Sequence, residues 1–400
     1  MISKYSHISQ ADYDAVAGPD WPLFSEFQLN RNVPEFVYNE LDAMIRPATG
    51  FSHPTFCILP FYGIEYPQQK VCCIMSSEES LQEVQQKMLS KQRPKSCNIC
   101  WHLEDSGVKS DRQLKNETLD YYSNIDLERL IQQSHQAKNK IIHYKIDTSN
   151  TCNAACVTCG GYNSSSWNRI LKKHNQPVQK NWKIKPAQTM DWIDYDNAVS
   201  ISFRGGESFL SATNFYILEQ LIAHNNTDCF VDFVTNGSFR LTKKQKDTLS
   251  HFQNLNFCFS IDGIGSTFEY LRWPLKWADI ESNLSWCKTN KIDVSVAHTL
   301  SNLNLLYLPQ TSRWFKENNL DYFVIPVSSP DYFRPQSLSA DIKSRLKCHA
   351  NGHYYAPWLN HGASDDRLFS EFKMQIEQQD RMKNTNIRDY LPELVELLGW

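Results

Sequence analysis

The stretch IIHYKIDTSNTCNAACVTC, residues 141–159, joins a short apolar run to a loop that contains three cysteines. The run predicts a strand over residues 142–148. Cys152, Cys156 and Cys159 follow it with the spacing C-x3-C-x2-C. A loop directly after a strand lies at the carboxyl end of that strand, where α/β barrels place their sites. The stretch therefore predicts a metal-binding loop on a sheet of βα units.

Strands and helices alternate along the rest of this region. The alternation predicts a parallel sheet built from βα units. Since six repeats are fewer than the eight of a complete barrel, we expect an α/β fold with a partial (β/α)6 TIM-like barrel over residues 140–346. Further strands are predicted at 199–204, 229–234, 255–261, 292–299 and 320–326, with helices at 213–225, 241–252, 279–290 and 305–319.

The barrel is flanked by two regions with weaker patterns. Residues 1–139 form the predicted N-terminal region, where two apolar runs within 51–75 suggest a hairpin and residues 78–92 suggest a helix. Residues 347–400 are predicted to be a C-terminal helical extension, with one or two amphipathic helices.

Composition limits the kinds of partner. With 41% hydrophobic and 21% charged residues, the 400-residue chain has the balance of a soluble globular protein. A formal net charge of −3 gives no case for nucleic-acid or acidic-membrane binding. The N-terminus, MISKYSHISQ, lacks a signal-peptide apolar region, so we expect a cytoplasmic protein. Twelve cysteines in such a chain favour metal or redox use over disulfides.

Three closely spaced thiolates suit an iron–sulfur cluster or a zinc ion. A [4Fe–4S] cluster held by three cysteines keeps one iron without a protein ligand. Because an outside molecule can coordinate such an open position, it is typical of a working site. A structural zinc site and three unrelated core cysteines are the alternatives. The absence of an H-E-x-x-H motif disfavours a zinc hydrolase.

The cysteine loop resembles the triad of the radical S-adenosylmethionine (SAM) enzymes. SFRGGESFL, residues 202–210, resembles that family's glycine-glycine-glutamate motif and ends the next predicted strand. The resemblance implies a [4Fe–4S] cluster on the triad, with its unique iron chelated by SAM. It also implies reductive cleavage of SAM to methionine and a 5′-deoxyadenosyl radical, which abstracts hydrogen from a substrate. Gly205 and Gly206 would allow close backbone approach to SAM, and Glu207 would bind its ammonium group.

Polar residues also end the next two predicted strands. VTNG (234–237) and FSIDG (259–263) place small polar groups at one face of the barrel, suited to ribose and carboxylate contacts. EYLRWP (269–274) resembles a family segment whose arginine often lies near SAM. Taken singly, each is compatible with an ordinary polar turn. The further residues expected to bind SAM are Thr235, Asn236, Ser260, Asp262 and Arg272.

One position departs from the family pattern. Many radical SAM enzymes have an aromatic residue just before the last cysteine, near adenine, whereas this chain has Thr158. Tyr162 or Trp167 could supply that surface instead.

A second cysteine set lies in the N-terminal region. Adjacent residues of a strand point to opposite faces, so only one member of the Cys72–Cys73 pair should bind a given metal. Four thiolates close the coordination of a cluster, which suits electron transfer or a structural role. Tetrahedral zinc is the alternative. The auxiliary cysteine set consists of Cys57, Cys72, Cys97 and Cys100, with Cys73 as the alternative to Cys72.

The surrounding pattern, FCILPF…VCC…CNICWHLEDSG…SDRQLKN at about 51–116, resembles the auxiliary-cluster module called SPASM or its shorter form, twitch. This resemblance implies an auxiliary [4Fe–4S] cluster and favours Cys72 as the ligand. The module usually follows the barrel, whereas here it precedes it.

Enzymes with this module commonly modify ribosomally made peptides by crosslinking, epimerisation or side-chain oxidation. The resemblance therefore implies a peptide-modifying radical SAM enzyme, of either oxidoreductase or transferase type, with an electron donor such as flavodoxin or ferredoxin. Radical oxidation or rearrangement of a small molecule, and a non-catalytic iron–sulfur or zinc protein, are the alternatives. Cys348 is a candidate hydrogen donor to a substrate radical, or an ordinary loop cysteine. Cys229 and Cys258 lie in apolar strands and are expected to be buried.

Overall fold

A computed structural model describes residues 54–72, 74–105, 110–116, 127–136, 139–189, 192–327, 329–349, 351, 355, 358–359 and 366–400. The expectations for residues 1–53 and for Cys73 therefore lie outside the described residues. Seven parallel strands form one sheet whose spatial order follows the chain order. They are β1 (Gly63–Tyr66), β2 (His143–Asp147), β3 (Ser200–Arg204), β4 (Phe230–Thr235), β5 (Leu255–Ser260), β6 (Asp293–Leu300) and β7 (Asp321–Pro326).

The strand order defines the architecture. Crossovers between parallel strands are right-handed, so a sheet whose order never reverses carries its helices on one face and curls as a barrel does. β1 and β7 lie at the two ends of the strand order, so the barrel formed by the described residues is not closed. The predicted α/β fold with a partial TIM-like barrel is confirmed, and all six predicted strands correspond to β2–β7.

The hairpin predicted within residues 51–75 is wrong. Residues Leu59–Tyr62 are helical, and β1 pairs in parallel with β2, with Gly63 opposite His143 and Tyr66 opposite Ile146. An isolated antiparallel bridge joins Glu65 to Lys70. Pairing with a strand distant in sequence has overridden the local turn signal, as is common for strands.

Helices connect the strands and cover the sheet. Several begin with a side-chain cap; Ser80 and Thr242, for example, each form a capping box with the residue three positions later. Among the described residues the helices include α1 (Leu59–Tyr62), α2 (Leu81–Leu89), α3 (Asn98–Asp105), α4 (Leu127–His135), α5 (Ser165–Lys173), α6 (Ala212–Ala223), α7 (Lys243–Leu249), α8 (Gly265–Leu271), α9 (Trp277–Thr289), α10 (Leu308–Glu317), α11 (Ala340–Cys348), α12 (Asp366–Lys383), α13 (Ile387–Tyr390) and α14 (Pro392–Leu398).

The two faces of the sheet differ in polarity. On β2, Tyr144 and Ile146 belong to the main hydrophobic core that the helices complete. Residues alternate between faces, so His143 and Lys145 lie on the opposite, inner face. That interior is polar across neighbouring strands too, where Ser202 donates to Asp232 at 2.7 Å. The barrel therefore keeps its apolar packing outside and leaves polar groups inside.

Two further cores extend the structure. One joins Val157 of the cysteine loop to the C-terminal helices through Phe372 and Ile376. The other lies in the N-terminal region around Phe56, Tyr62 and Val84. In the described part of the chain, no helix is both long enough and apolar enough to cross a membrane.

Candidate cofactor and cluster site

The three-cysteine loop is fixed by backbone contacts at the carboxyl end of β2. Ala155 N donates to Trp273 O at 2.7 Å, and Val157 N donates to Leu271 O at 2.8 Å. The Ser164 hydroxyl, which caps α5, donates to Ala154 O at 2.6 Å. These bonds hold the loop between the start of α5 and the end of α8, at the face of the barrel where the sequence predicts a site.

The three thiols of the triad lie close enough for their charges to interact. Burial, reinforced by the charge of Cys156, raises the pKa of Cys152 and of Cys159 to about 12. Burial also raises the pKa of Cys156. The free thiols are therefore protonated at neutral pH, and a metal or cluster would displace their protons on binding.

Arg272 joins the triad to the end of β5. Its guanidinium forms a 2.8 Å ion pair with Asp262, and its Nη1 lies 4.0 Å from Cys156 Sγ. Burial disfavours the charge of Arg272, but Asp262 and Cys156 outweigh burial and raise its pKa. Its Nε is buried without a hydrogen-bond partner, so one donor at this site remains available.

Glu207 links the ends of β3 and β4. Its carboxylate accepts hydrogen bonds from the Thr235 hydroxyl at 2.8 Å and from the Asn236 backbone N–H at 2.8 Å. Burial raises its pKa, although these bonds act in the opposite direction. The Asn236 amide in turn donates to Asn153 Oδ1 at 2.8 Å and lies 4.0 Å from Cys152 Sγ. Phe209 N donates to the same carboxylate at 3.2 Å, which leaves one of its about four acceptor positions for an ammonium group.

The two glycines of the motif lie close to the backbone of the cysteine loop. A Cβ on Gly206 would lie 2.2 Å from Thr151 O. Gly205 has a φ of +102°, and a Cβ there would lie 2.6 Å from Ser149 O. Gly206 N donates to Ser149 O, and Glu207 N donates to Thr151 O. The glycines therefore allow the end of β3 to pack against the start of the cysteine loop. The sequence motif predicts only that they allow a close approach to SAM.

The remaining predicted residues occupy different environments. Ser260 ends β5, where it is partly exposed. Trp167 is only 3% exposed and donates through Nε1 to Cys156 O, so it braces the loop, whereas Tyr162 is 52% exposed. Cys348 is exposed at the end of α11. The prediction that Cys229 and Cys258 are buried is confirmed.

The donor set fits the group that the sequence implies. Three thiols, an available arginine N–H and a buried carboxylate face one region, which suits a cluster with an open position and an amino-acid ligand. In the described ranges, no three Cys, His, Asp or Glu side chains are grouped to hold one metal ion. Cysteines that bind a cluster attach to different irons and need not converge on one point.

The C-terminal extension contributes residues that the sequence analysis missed. Lys383 on α12 lies 4.4 Å from the centre of the Trp167 ring, and Gln379 Nε2 donates to Val157 O at 3.0 Å. Burial lowers the pKa of Lys383 to about 7, against the opposing effect of Cys156. The Gln379–Lys383 spacing places both residues on one helix face, but no sequence signal relates that face to the cysteines.

The auxiliary cysteine set also comes together. Cys57, Cys72, Cys97 and Cys100 line one cavity, together with Asp111 and Arg112. Burial raises the pKa of Cys97 to about 12, with a further contribution from Cys100, and burial also raises the pKa of Cys57. The spacing of the four cysteines in the sequence thus corresponds to a compact group of thiols in space.

Arg112, within the SDRQLKN segment, holds this cavity together. It forms a bidentate pair with Glu104, at 2.9 Å and 2.7 Å, and donates to Phe56 O at 2.8 Å. Asn116 binds the same carbonyl at 3.0 Å and accepts from Ile58 N at 3.0 Å. These contacts fix the backbone on both sides of Cys57.

No family model matches the chain, and no curated protein matches it. Among solved structures, it is similar to native anSMEcpe with bound AdoMet, at 18% identity over 55% of this chain and 62% of that chain, with a TM-score of 0.39. It is also similar to Streptococcus suis SuiB bound to S-adenosylmethionine, at 13% identity over 71% of this chain and 60% of that chain, with a TM-score of 0.40. The structure of SuiB bound to precursor peptide SuiA gives 14% identity over 74% of this chain and 69% of that chain, with a TM-score of 0.40. The chain thus spans less than two thirds of anSMEcpe, and at these identities the similarity concerns the fold.

Proposed function

We propose that the chain is a radical SAM enzyme, in which Cys152, Cys156 and Cys159 bind a [4Fe–4S] cluster. The observation that carries this proposal is the convergence on the triad of groups from the end of β4 and from the end of α8. Asn236 approaches Cys152, and Arg272 approaches Cys156, both at 4.0 Å. When bound, the cluster and SAM would supply a 5′-deoxyadenosyl radical for hydrogen abstraction.

The surrounding side chains have separate tasks in this proposal. Glu207 is the anion for the SAM ammonium group, oriented by Thr235 and the Asn236 backbone. Arg272, held by Asp262, offers its free Nε–H to an anionic group such as a carboxylate. Ser260, at the next strand end, is a further candidate for a polar SAM contact.

The auxiliary cysteine set is proposed to bind a second [4Fe–4S] cluster. The four cysteines that share one cavity supply all the ligands that such a cluster needs. A cluster closed in this way would serve electron transfer or structure, with flavodoxin or ferredoxin as the proposed electron donor to the enzyme.

A ribosomally made peptide is the proposed substrate, because the auxiliary set resembles the module that peptide-modifying enzymes carry. Cys348 is retained as a candidate hydrogen donor.

The test of the triad is the cleavage of SAM. Protein reconstituted anaerobically with iron and sulfide should form 5′-deoxyadenosine from SAM in the presence of dithionite, measured by chromatography and mass spectrometry. A variant with all three triad cysteines changed to alanine should form none. C348A is the matched control, because this exposed thiol would act only after hydrogen abstraction, so its removal should leave SAM cleavage itself unchanged. Absence of product from wild-type protein with a loaded triad cluster would contradict the proposal.

Metal analysis separates the two interpretations of the auxiliary set. Two [4Fe–4S] clusters give about eight irons per chain and no zinc. About four irons with one zinc would contradict the auxiliary-cluster proposal while leaving the triad intact.

A further inference from the structure

Helix α12 of the C-terminal extension contacts the loop that carries the triad. Gln379 donates from Nε2 to Val157 O, at 3.0 Å, between the second and third cysteines. The Val157 side chain lies in the same core as Phe372 and Ile376 of this helix. The position of α12 is therefore tied to the position of the triad.

Lys383, the last residue of α12, is 6% exposed. Its ammonium group lies where α12 contacts the loop that carries the triad. Its Nζ donates to Gln379 Oε1 at 3.0 Å and lies 4.4 Å from the Trp167 ring centre. The Nε1–H of that indole donates to Cys156 O at 2.8 Å. Lys383 and Cys156 are thus connected through a single buried ring.

A buried ammonium group is costly unless negative charge lies nearby. The acidic side chain nearest to it in sequence is Asp380, three residues earlier on the same helix. Asp380 is engaged elsewhere, since its carboxylate accepts from the Tyr270 hydroxyl, the Thr385 hydroxyl and Ile387 N. Within the described ranges, no carboxylate forms an ion pair with Lys383, so a cluster bound to the triad would be the anionic group that its ammonium faces across the Trp167 ring.

We propose that Lys383 is a positioning residue whose ammonium offsets the negative charge of the triad cluster and favours its one-electron reduction. The inference rests on the proposed function. Gaining an electron makes a thiolate-bound cluster more negative, and a buried cation on the other side of one indole ring stabilises the reduced form because the local dielectric is low. A helix outside the barrel would thereby set how readily SAM cleavage begins.

Potentiometric titration with dithionite, followed by electron paramagnetic resonance of the reduced triad cluster, tests this inference. To isolate that signal, the measurement is made in a background where the auxiliary cysteines are changed to serine. K383M should shift the midpoint potential of the cluster to a more negative value. R381M is the matched control, because it removes a positive charge from an exposed position two residues earlier on the same helix and should leave the potential unchanged.

Two further variants separate charge from packing. K383Q removes the charge while keeping a polar group beside Gln379, and should shift the potential as K383M does. K383R keeps the charge and should stay near wild type. Equal potentials for wild type, K383M and K383Q at full iron loading would overturn the inference. The inference would also be overturned if K383M and K383Q lost iron from the triad and K383R lost it as well, because the loss would then not depend on the charge. Failure of the wild-type triad to assemble a cluster would instead count against the proposed function.

Discussion

At the scale of single residues, Gly206 shows how tightly the triad loop and the end of β3 are packed. A Cβ at this position would lie 2.2 Å from Thr151 O and 2.7 Å from the Asn150 carbonyl carbon. Since both neighbours are backbone atoms, G206A must push the loop away from the strand end. We expect a loss of about 2–4 kcal/mol in the free energy of unfolding, as for overpacking at a constrained backbone site. Chemical denaturation measures that loss, and iron analysis should show poor loading of the triad.

Gly160 provides the matched control because it follows the triad directly. A Cβ there would have no atom within 4 Å. G160A should therefore keep wild-type stability and iron content. Equal behaviour of G206A and G160A would mean that the docking of β3 against the loop does not support cluster binding.

That the triad, Glu207 and Arg272 lie near one another could be predicted, because each belongs to a local pattern at a strand end or soon after it. The partners of these residues could not. Gln379 binds Val157 across 222 positions of sequence. No local periodicity encodes such a contact, since it depends on where the C-terminal extension packs on the finished barrel.

At the scale of elements, the SDRQLKN segment supports the auxiliary cysteine set through Arg112. The guanidinium binds Glu104 through two nitrogens, and it lies 4.9 Å from the Trp101 ring centre. Lysine cannot form such a bidentate pair. We expect R112K to lower the free energy of unfolding by about 2–3 kcal/mol, as for a disrupted buried ion pair. Metal analysis should show loss of the auxiliary metal, with the triad cluster retained.

R93K is the control for this change. Arg93 also pairs with a carboxylate, donating from Nη1 alone to both oxygens of Asp105 at 2.7 Å and 2.9 Å, and it lies 5.2 Å from the same ring. That pair is largely exposed, so its loss should cost at most about 1 kcal/mol. Loss of auxiliary metal in both variants alike would contradict a specific role for Arg112.

β1 differs from the other strands in how far its partner strand lies along the sequence. The strands β2–β7 follow one another with intervening helices, so apolar runs and their spacing predict both the strands and their order. β1 has only four residues, Gly63–Tyr66, and its partner β2 begins at His143. A pattern within residues 51–75 can suggest only a nearby partner, which explains the wrong hairpin.

At the scale of the whole molecule, β1 connects the N-terminal region to the barrel. The predicted domain boundary at residue 139 separates β1 from β2, although the two strands pair. Buried charges join the same regions. Glu65 on β1 forms ion pairs with Lys145 on β2, at 3.0 Å, and with Arg204 on β3, at 3.5 Å. Arg204 directly precedes Gly205, so this network extends from the N-terminal region to the proposed SAM motif.

E65A tests whether the two regions unfold together. The change removes a buried carboxylate from two cations, and Lys145 is only 5% exposed. We expect a loss of about 3–5 kcal/mol in the free energy of unfolding, the usual cost of breaking a buried pair. D111N is the milder comparison, because Asp111 lies 3.8 Å from Lys145 and its side chain is 30% exposed. Denaturation followed by circular dichroism should show one transition for wild type and E65A. Separate transitions for the N-terminal region and the barrel would mean that β1 does not join them into one folding unit.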